Sequence, residues 1–192
     1  MSDTFSAEVA VVGGGPAGLV AAIALATAGV DTLLIAPPAE PDHRTTALLA
    51  GSVTALETLG VWPACVPHAA PLRKIRLVDA TQRLIRAPEV LFTATEIDLD
   101  AFGQNIENRH LIAALEARAA ALKLPRIAGA ALSVASDASG VTIKYSNGEA
   151  RVKLAIGADG RRSLCRTAAG IGTKRDLSAD GADAQSGARA TA

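Results

Sequence analysis

The sequence is poor in aromatic residues and cysteine and has no excess of either charge. Its 192 residues include one Trp, one Tyr, three Phe and one Met, so Leu, Ile, Val and Ala must build the core. Lys plus Arg and Asp plus Glu each total 19, and zero net charge argues against a nucleic-acid partner. Cys65 and Cys165 have no CxxC or Cys/His spacing, so we expect neither a disulfide framework nor a metal site.

An uncharged run from Val9 to Val30 is long enough to suggest a membrane span. Glycines and a proline at residues 13–18 would break such a helix, and nothing suggests a bundle around it. Residues 1–8 carry two acids and no basic residue, unlike a signal peptide. We therefore expect a cytoplasmic protein, and peripheral association with the inner membrane is left open.

Residues 8–35 predict a βαβ unit. Apolar runs at 8–12 and 32–35 predict buried strands, and the alanine-rich segment 18–28, closed by Gly29, predicts the connecting helix. The crossover between two such parallel strands is expected to be right-handed.

The turn after the first strand has the spacing Gly13-x-Gly15-x-x-Gly18. Gly13 permits a tight turn, Gly15 lets a pyrophosphate approach the backbone, and Gly18 lets helix and strand pack closely. The positive end of the helix then faces the phosphates. Because this motif follows a strand and opens a helix, it predicts a dinucleotide site; the alternative is a glycine-rich turn that binds nothing.

The acid that usually binds the ribose at the end of the second strand is missing. Ala36 occupies that place and Pro37 follows it. Glu40 or Asp42 could reach the ribose from the following loop, or both could be solvated loop acids.

The middle of the chain predicts a helix over 42–60 and then a strand over 72–79 with a hairpin partner at 83–86. Basic residues are concentrated here, namely Arg73, Lys74, Arg76, Arg83 and Arg86. They indicate either a site for an anionic substrate or membrane headgroup, or a solvated sheet face.

The next segment predicts a helix and three strands. Asn108 is expected to cap a helix that runs from residue 111 to 122. His110 is expected to lie on the surface or at the edge of a bound cofactor rather than to act as a base. Strands are predicted over 130–136, 141–145 and 150–156. Asp159 then lies at a strand's carboxyl end, where it could face a ligand or cap the helix predicted over 161–167.

Four stretches together resemble the class A flavin-dependent monooxygenases, whose FAD domain is glutathione-reductase-like. They are the glycine motif at 11–18, Arg44 with its flanking residues, Glu107-Asn108 before a helix, and the Gly-Ala-Asp-Gly stretch around Asp159. The residue patterns around Arg44 and Asn108 most resemble those of the ubiquinone-biosynthesis hydroxylases. The resemblance covers residues 7 to about 175.

The resemblance implies an α/β fold, with a Rossmann-like FAD-binding domain and a partial, β-rich substrate domain inserted into it. Residues 1–61 and 104–175 would form the FAD-binding domain, and residues 62–103 the partial insertion. It implies that FAD is held by Gly13, Gly14, Gly15, Ala17, Gly18, Arg44, Asn108 and Asp159, with Arg109 as an alternative to Asn108. NAD(P)H and O₂ would be co-substrates for hydroxylation of a small aromatic ring, and no catalytic residue is assigned.

The chain also departs from the family pattern. The family's third motif, a Gly-Asp near the flavin ribityl chain, does not follow Asp159, and residues 176–192 are expected to be a disordered tail. We therefore expect a truncated or frameshifted hydroxylase. The alternatives are a catalytically incomplete FAD- or nucleotide-binding fragment and, ranked last, an NAD-dependent dehydrogenase.

Overall fold

The computed structural model describes residues 3–39 and 41–172. Glu40 and the tail predicted at 176–192 lie outside these residues. Within them the strands β1 to β11 are, in order, Asp3–Val12, Thr32–Ile35, Thr45–Leu49, Ala69–Pro71, Lys74–Leu77, Val90–Thr93, Gly103–Glu107, Arg126–Ile127, Ala131–Asp137, Gly140–Tyr145 and Gly148–Gly157. The α-helices α1 to α5 are Pro16–Thr27, Ala50–Thr58, Trp62–Cys65, Asn108–Ala121 and Leu164–Ala168, and 3₁₀ turns lie at Val66–His68 and Ala94–Ile97.

The central sheet has six strands in the order β8-β2-β1-β11-β10-β9. Strand β1 runs parallel to both β2 and β11, whereas β10 is antiparallel to its two neighbours. The predicted βαβ unit is therefore confirmed, with β1 and β2 adjacent and α1 between them in sequence. The α/β fold class is confirmed as well.

Two apolar clusters cover the two faces of this sheet. Along β2 the side chains alternate, so Leu34 packs with Leu19 and Leu115 of α1 and α4, while Leu33 packs with Ile143 on the other face. Every residue of β2 is buried. A strand covered on both faces reads as a continuous apolar run, which is why residues 32–35 could be assigned from sequence.

The helix predicted over 42–60 is wrong in its first part. Residues 45–49 form β3, which is antiparallel to β7 in a small sheet ordered β3-β7-β4, and the helix begins only at Ala50. These residues are extended because they pair with β7, a strand distant in sequence. The helical spacing of apolar residues is a local pattern and carries no information about such pairing.

The hairpin partner predicted at 83–86 is also wrong. Strand β5 pairs instead with β6, in the register Lys74↔Thr93 to Leu77↔Val90. The Asp79 carboxylate accepts hydrogen bonds from the N–H groups of Thr81 and Ala87, which holds the residues between them in a loop.

The segment 62–103, predicted as a partial inserted domain, begins inside the core. Trp62 and Cys65 are buried in the cluster that contains Leu19 and Leu115. The later strands of the segment, β5 and β6, pair with each other in a separate two-stranded sheet. Among the described residues, no helix is long and apolar enough to cross a bilayer.

Candidate functional site

An open cleft of about 490 Å³ lies at the carboxyl ends of β1, β2 and β11. Its walls come from the glycine-rich turn, the end of β2, the start of β9 and the loop after β11. The lining residues are Val12, Gly13, Gly14, Gly15, Ile35, Pro37, Ala130, Ala131, Ala158, Asp159, Gly160, Arg162 and Leu164. This is the edge of a parallel sheet at which α/β proteins bind ligands, and the volume suits a small organic ligand.

Gly13 and Gly18 are required by the packing of the chain itself. Gly13 has a φ of +117°, and a Cβ there would collide with the Ala158 carbonyl oxygen. A Cβ on Gly18 would collide with the carbonyl oxygen of Gly13. These two glycines let α1, β1 and the loop after β11 approach one another, which shapes the cleft.

Gly15 differs from the other two because it faces open space. A Cβ built there meets no atom within 4 Å, and the φ of −72° suits any residue. Gly15 is the N-cap of α1 and provides no side-chain cap, and Pro16 begins the helix. The first-turn N–H groups therefore lack intrahelical partners and lie at the positive end of the helix. The described residues here fit the pyrophosphate of a dinucleotide such as FAD.

Gly14 lies against the end of β2, where the ribose-binding acid is missing. A Cβ on Gly14 would be 2.8 Å from the Cβ of Ala36 and 3.5 Å from a guanidinium nitrogen of Arg126. Arg126 donates to both carboxylate oxygens of Glu116, at 2.7 Å each, and to the Pro37 carbonyl oxygen at 3.0 Å. Arg126 carries no signal of this role in the sequence, because only the pairing of β8 with β2 brings it to this edge.

Arg44 and Asn108, distant in sequence, are joined by Asp42. Asp42 accepts hydrogen bonds from the Arg44 guanidinium at 2.9 and 2.8 Å and from Asn108 Nδ2 at 2.8 Å. These contacts hold the pKa of Asp42 well below its usual range, and the hydrogen bonds from Arg44 have the largest effect. The Arg44 side chain itself is 84% exposed. Asp42, one of the two candidates for ribose binding, is thus engaged with the two predicted cofactor residues.

Asn108 does not cap α4, contrary to the prediction. It is the first residue of α4, whose N-cap is Glu107, and its side-chain oxygen accepts a hydrogen bond from the Thr46 hydroxyl. The side chain therefore ties the start of α4 to β3 and to Asp42. Sequence reasoning could not detect this role, since both partners lie more than 60 residues away.

Asp159 lies in the cleft wall and also holds the start of α5. Its carboxylate accepts hydrogen bonds from the Ser163 hydroxyl and from the N–H groups of Leu164 and Cys165. Burial by itself would raise the pKa of Asp159, but these hydrogen bonds lower it overall. The N-cap residue of α5 is Ser163, so Asp159 is not the cap itself but supports the helix start from the cleft wall; its contact with a ligand stays a prediction.

Cys165 is affected by the same carboxylate. Burial, followed by the negative charge of Asp159, raises the pKa of the Cys165 thiol to about 11. The thiol is therefore protonated at neutral pH, and it lacks the thiolate character of a nucleophile.

Ala17 and His110 lie outside the lining of the cleft. Ala17 borders a separate apolar pocket of about 220 Å³, together with Leu48 and Leu111. The His110 ring stacks on that of His68 with centroids 3.8 Å apart. The structure thus places Gly13, Gly14, Gly15 and Asp159 around one cleft, with Gly18 behind it, while Arg44 and Asn108 form a second group.

The chain matches a known protein family over most of its length. The family model described as "FAD binding domain" matches residues 6–184. The chain belongs to this FAD-binding family. The resemblance to class A flavin-dependent monooxygenases stated from the motifs is confirmed.

Curated relatives match the chain over most of its length. It is 33% identical over 178 residues to the ubiquinone hydroxylase UbiL of Rhodospirillum rubrum, covering 88% of this chain and 40% of that protein. It is 35% identical over 177 residues to the 3-demethoxyubiquinol 3-hydroxylase of Escherichia coli, covering 86% and 44%. The chain therefore spans less than half the length of these relatives.

Solved structures of flavin enzymes share the fold. The flavin-dependent monooxygenase PieE, in complex with FAD and substrate, superposes with a TM-score of 0.70 at 25% identity, over 86% of this chain and 32% of that one. OxyS anhydrotetracycline hydroxylase from Streptomyces rimosus superposes with a TM-score of 0.69 at 25% identity, over 86% and 34%.

Proposed function

We propose that this chain is the FAD-binding part of an FAD-dependent monooxygenase that hydroxylates a small aromatic ring resembling a ubiquinone precursor, with NAD(P)H and O₂ as co-substrates. The observation that carries the proposal is the cleft in which Gly15 opens onto the uncapped N-terminus of α1. The similarity to the two ubiquinone-pathway hydroxylases supports the substrate class.

Each group of predicted residues has a distinct part in this proposal. The backbone of Gly14 and Gly15 and the first turn of α1 would hold the pyrophosphate. Asp159 would border the same ligand while it keeps α5 in place. Bound FAD would supply the electron transfer and oxygen activation, which side chains do not provide.

Arg44 and Asn108 would contact the cofactor at a different point from the glycine turn. Asp42 orients both, because it receives hydrogen bonds from each of them. A guanidinium already paired with a carboxylate loses little further side-chain freedom when a ligand binds, so this pairing pre-organises Arg44. Asn108 is fixed from its other side by Thr46.

The absorbance spectrum of the purified chain tests the cofactor assignment. We expect a yellow protein, or a colourless one that recovers flavin absorbance and quenches FAD fluorescence after reconstitution. The Asp42→Asn variant should bind FAD several-fold more weakly, because the neutral side chain pairs less strongly with Arg44. The matched control Asp137→Asn removes an exposed acid that pairs with Arg151 on the far strands and should leave FAD affinity unchanged. A chain that cannot be reconstituted with FAD would contradict the proposal.

The second candidate function is a catalytically incomplete FAD- or nucleotide-binding fragment. The observation that favours it is that the chain spans only 40% and 44% of the two curated relatives. NADPH oxidation by the FAD-loaded chain, stimulated by a phenol, would support the hydroxylase. Flavin binding without such oxidation would support the fragment.

A further inference from the structure

The loop between β5 and β6 presents two apolar side chains entirely to solvent. Leu84 is 102% exposed and Ile85 is 86% exposed, the highest values among the exposed large apolar residues of the described chain. Arg83 and Arg86 flank them directly. We refer to residues 83–86 as the arginine-flanked tip.

The acids near this tip are engaged at the base of the loop. The Asp79 carboxylate accepts the N–H groups of Thr81 at 2.9 Å and Ala87 at 3.0 Å. Glu89 pairs with Arg76 on β5, with 2.6 Å between Nε and Oε1. These contacts close the loop below the tip and neutralise Arg76.

The tip itself carries uncompensated positive charge. Residues 80–88 contain no acid, and neither Arg83 nor Arg86 has an ion-pair partner within the ranges that the structure describes. Arg73 and Lys74, at the start of the same hairpin, are exposed as well. An apolar pair flanked by cations is therefore exposed at the end of this loop, within the part of the protein that the structure describes.

We propose that the arginine-flanked tip docks the protein on an anionic lipid surface. Leu84 and Ile85 would enter the boundary between headgroups and acyl chains, and the guanidinium groups of Arg83 and Arg86 would bind lipid phosphates. Arginine can bury its aliphatic stem while its charged head stays at the headgroups.

The geometry favours lipid over a protein partner. Side chains that project from a loop with no surrounding groove would need a shaped pocket in a protein partner, whereas fluid acyl chains surround them from all sides. The two flanking cations match the anionic headgroups of such a surface. No residue of the tip lines the glycine cleft, so the docking is independent of FAD binding.

Vesicle co-sedimentation of the full chain tests the proposal. We expect binding to vesicles of equal parts phosphatidylcholine and phosphatidylglycerol, and much weaker binding to phosphatidylcholine alone. Each arginine near an anionic surface contributes about fivefold in affinity, so Arg83→Gln with Arg86→Gln should weaken binding roughly twenty-fivefold. Leu84→Ser with Ile85→Ser should weaken it at least about tenfold.

Matched controls separate docking from general effects of charge and exposure. Lys123→Gln with Lys144→Gln removes two exposed cations elsewhere, and Leu132→Ser replaces a leucine that is 63% exposed on β9. Both should bind vesicles within about twofold of the wild type. Circular dichroism should show every variant folded, because all the replaced side chains are exposed.

Insertion has its own readout. The Leu84→Trp variant should show tryptophan quenching by brominated lipid above the background from Trp62, which is buried. Absence of binding to the anionic vesicles overturns the proposal. The proposal is also overturned if the Leu84→Ser, Ile85→Ser variant binds vesicles as tightly as the wild type, since binding would then be electrostatic adsorption alone. It is overturned as well if the only effect of that variant is to convert a dimer of the chain to a monomer. FAD reconstitution is measured on the same samples, so failure of the docking proposal is distinguishable from failure of the proposed function.

Discussion

Strands β2 and β5 have the same length and opposite environments. Each contains four residues, Thr32–Ile35 and Lys74–Leu77, and both are rich in branched aliphatic side chains. Every residue of β2 is buried and every residue of β5 is exposed. The environments differ because neighbouring strands and side chains shield β2 from solvent. Strand β2 lies between β1 and β8 with an apolar cluster on each face, whereas β5 pairs with β6 alone. The region around the glycine turn is stabilised by its own apolar core, whereas the apolar side chains of the β5–β6 hairpin are exposed among the described residues.

The largest expected effect separates the roles of two neighbouring glycines in the covered region. Gly13→Ala should destabilise the fold by about 3 kcal/mol or more, because it combines a positive φ with a collision against the Ala158 carbonyl. Gly15→Ala should cost about 1 kcal/mol or less in stability and yet weaken FAD binding at least about tenfold, since its methyl group enters the cleft. Urea unfolding and FAD fluorescence quenching measure the two effects. If both variants were equally destabilised, Gly15 would be a packing residue and not part of the ligand site.

The next largest effect compares the two strands directly. Leu34→Ala removes a side chain that is 1% exposed on β2 and should cost about 3 kcal/mol of unfolding free energy. Leu77→Ala removes one that is 55% exposed on β5 and should cost less than about 0.5 kcal/mol. Chemical denaturation of both variants provides the test. A comparable loss from Leu77→Ala would mean that the hairpin is covered in solution.

The contrast between buried and exposed strands also explains which elements could be predicted from the sequence alone. The βαβ unit and the three later strands were predictable because their apolar residues follow the local period of a buried strand or helix. Thr45–Leu49 was assigned to a helix because its pairing with β7 involves residues far away in the chain. The partner of β5 was misplaced because the carboxylate of Asp79 determines where the loop ends.

The candidate site likewise contains residues that could be predicted from the sequence and residues that could not. The glycine turn was readable because each glycine meets a local backbone requirement at a fixed spacing. Asp42 could be named only as a possible ribose-binding acid, and Arg126 could not be named at all, because their contacts with Asn108 and with the end of β2 exist only after folding. Single-sequence reasoning locates a backbone-built site more readily than a site built from distant side chains.

A smaller effect concerns acid stability near the cleft. The folded-state pKa of Asp159 is lowered, so its ionised form stabilises the fold at neutral pH, and this contribution is lost as the pH falls through the acid range below about 4. Asp159→Asn should lower stability by about 1 kcal/mol at neutral pH and flatten the decline between about pH 5 and pH 2. Thermal unfolding across that range measures both. An unchanged pH profile would show that Asp159 does not hold α5 through its charge.

The smallest effect is expected on the exposed hairpin. Arg76→Gln breaks the pair with Glu89, whose side chain is 48% exposed while that of Arg76 is 64% exposed. Exposed ion pairs contribute little to stability, so the thermal midpoint should not change measurably. A clear fall would indicate that the pair is shielded from water by a partner.

The pairing of β1 with β11 has a consequence for synthesis. Glu8 on β1 is joined to Lys153 on β11, 145 residues later in the chain. At a translation rate of about 5–20 residues per second, β1 waits roughly 7–30 s before its parallel neighbour β11 is synthesised. Throughout that interval the glycine turn lacks Ala158, the group that Gly13 packs against. We therefore expect cofactor capture only after Ala158 has left the ribosome, and a circular permutation that places β11 ahead of β1 should bring it forward.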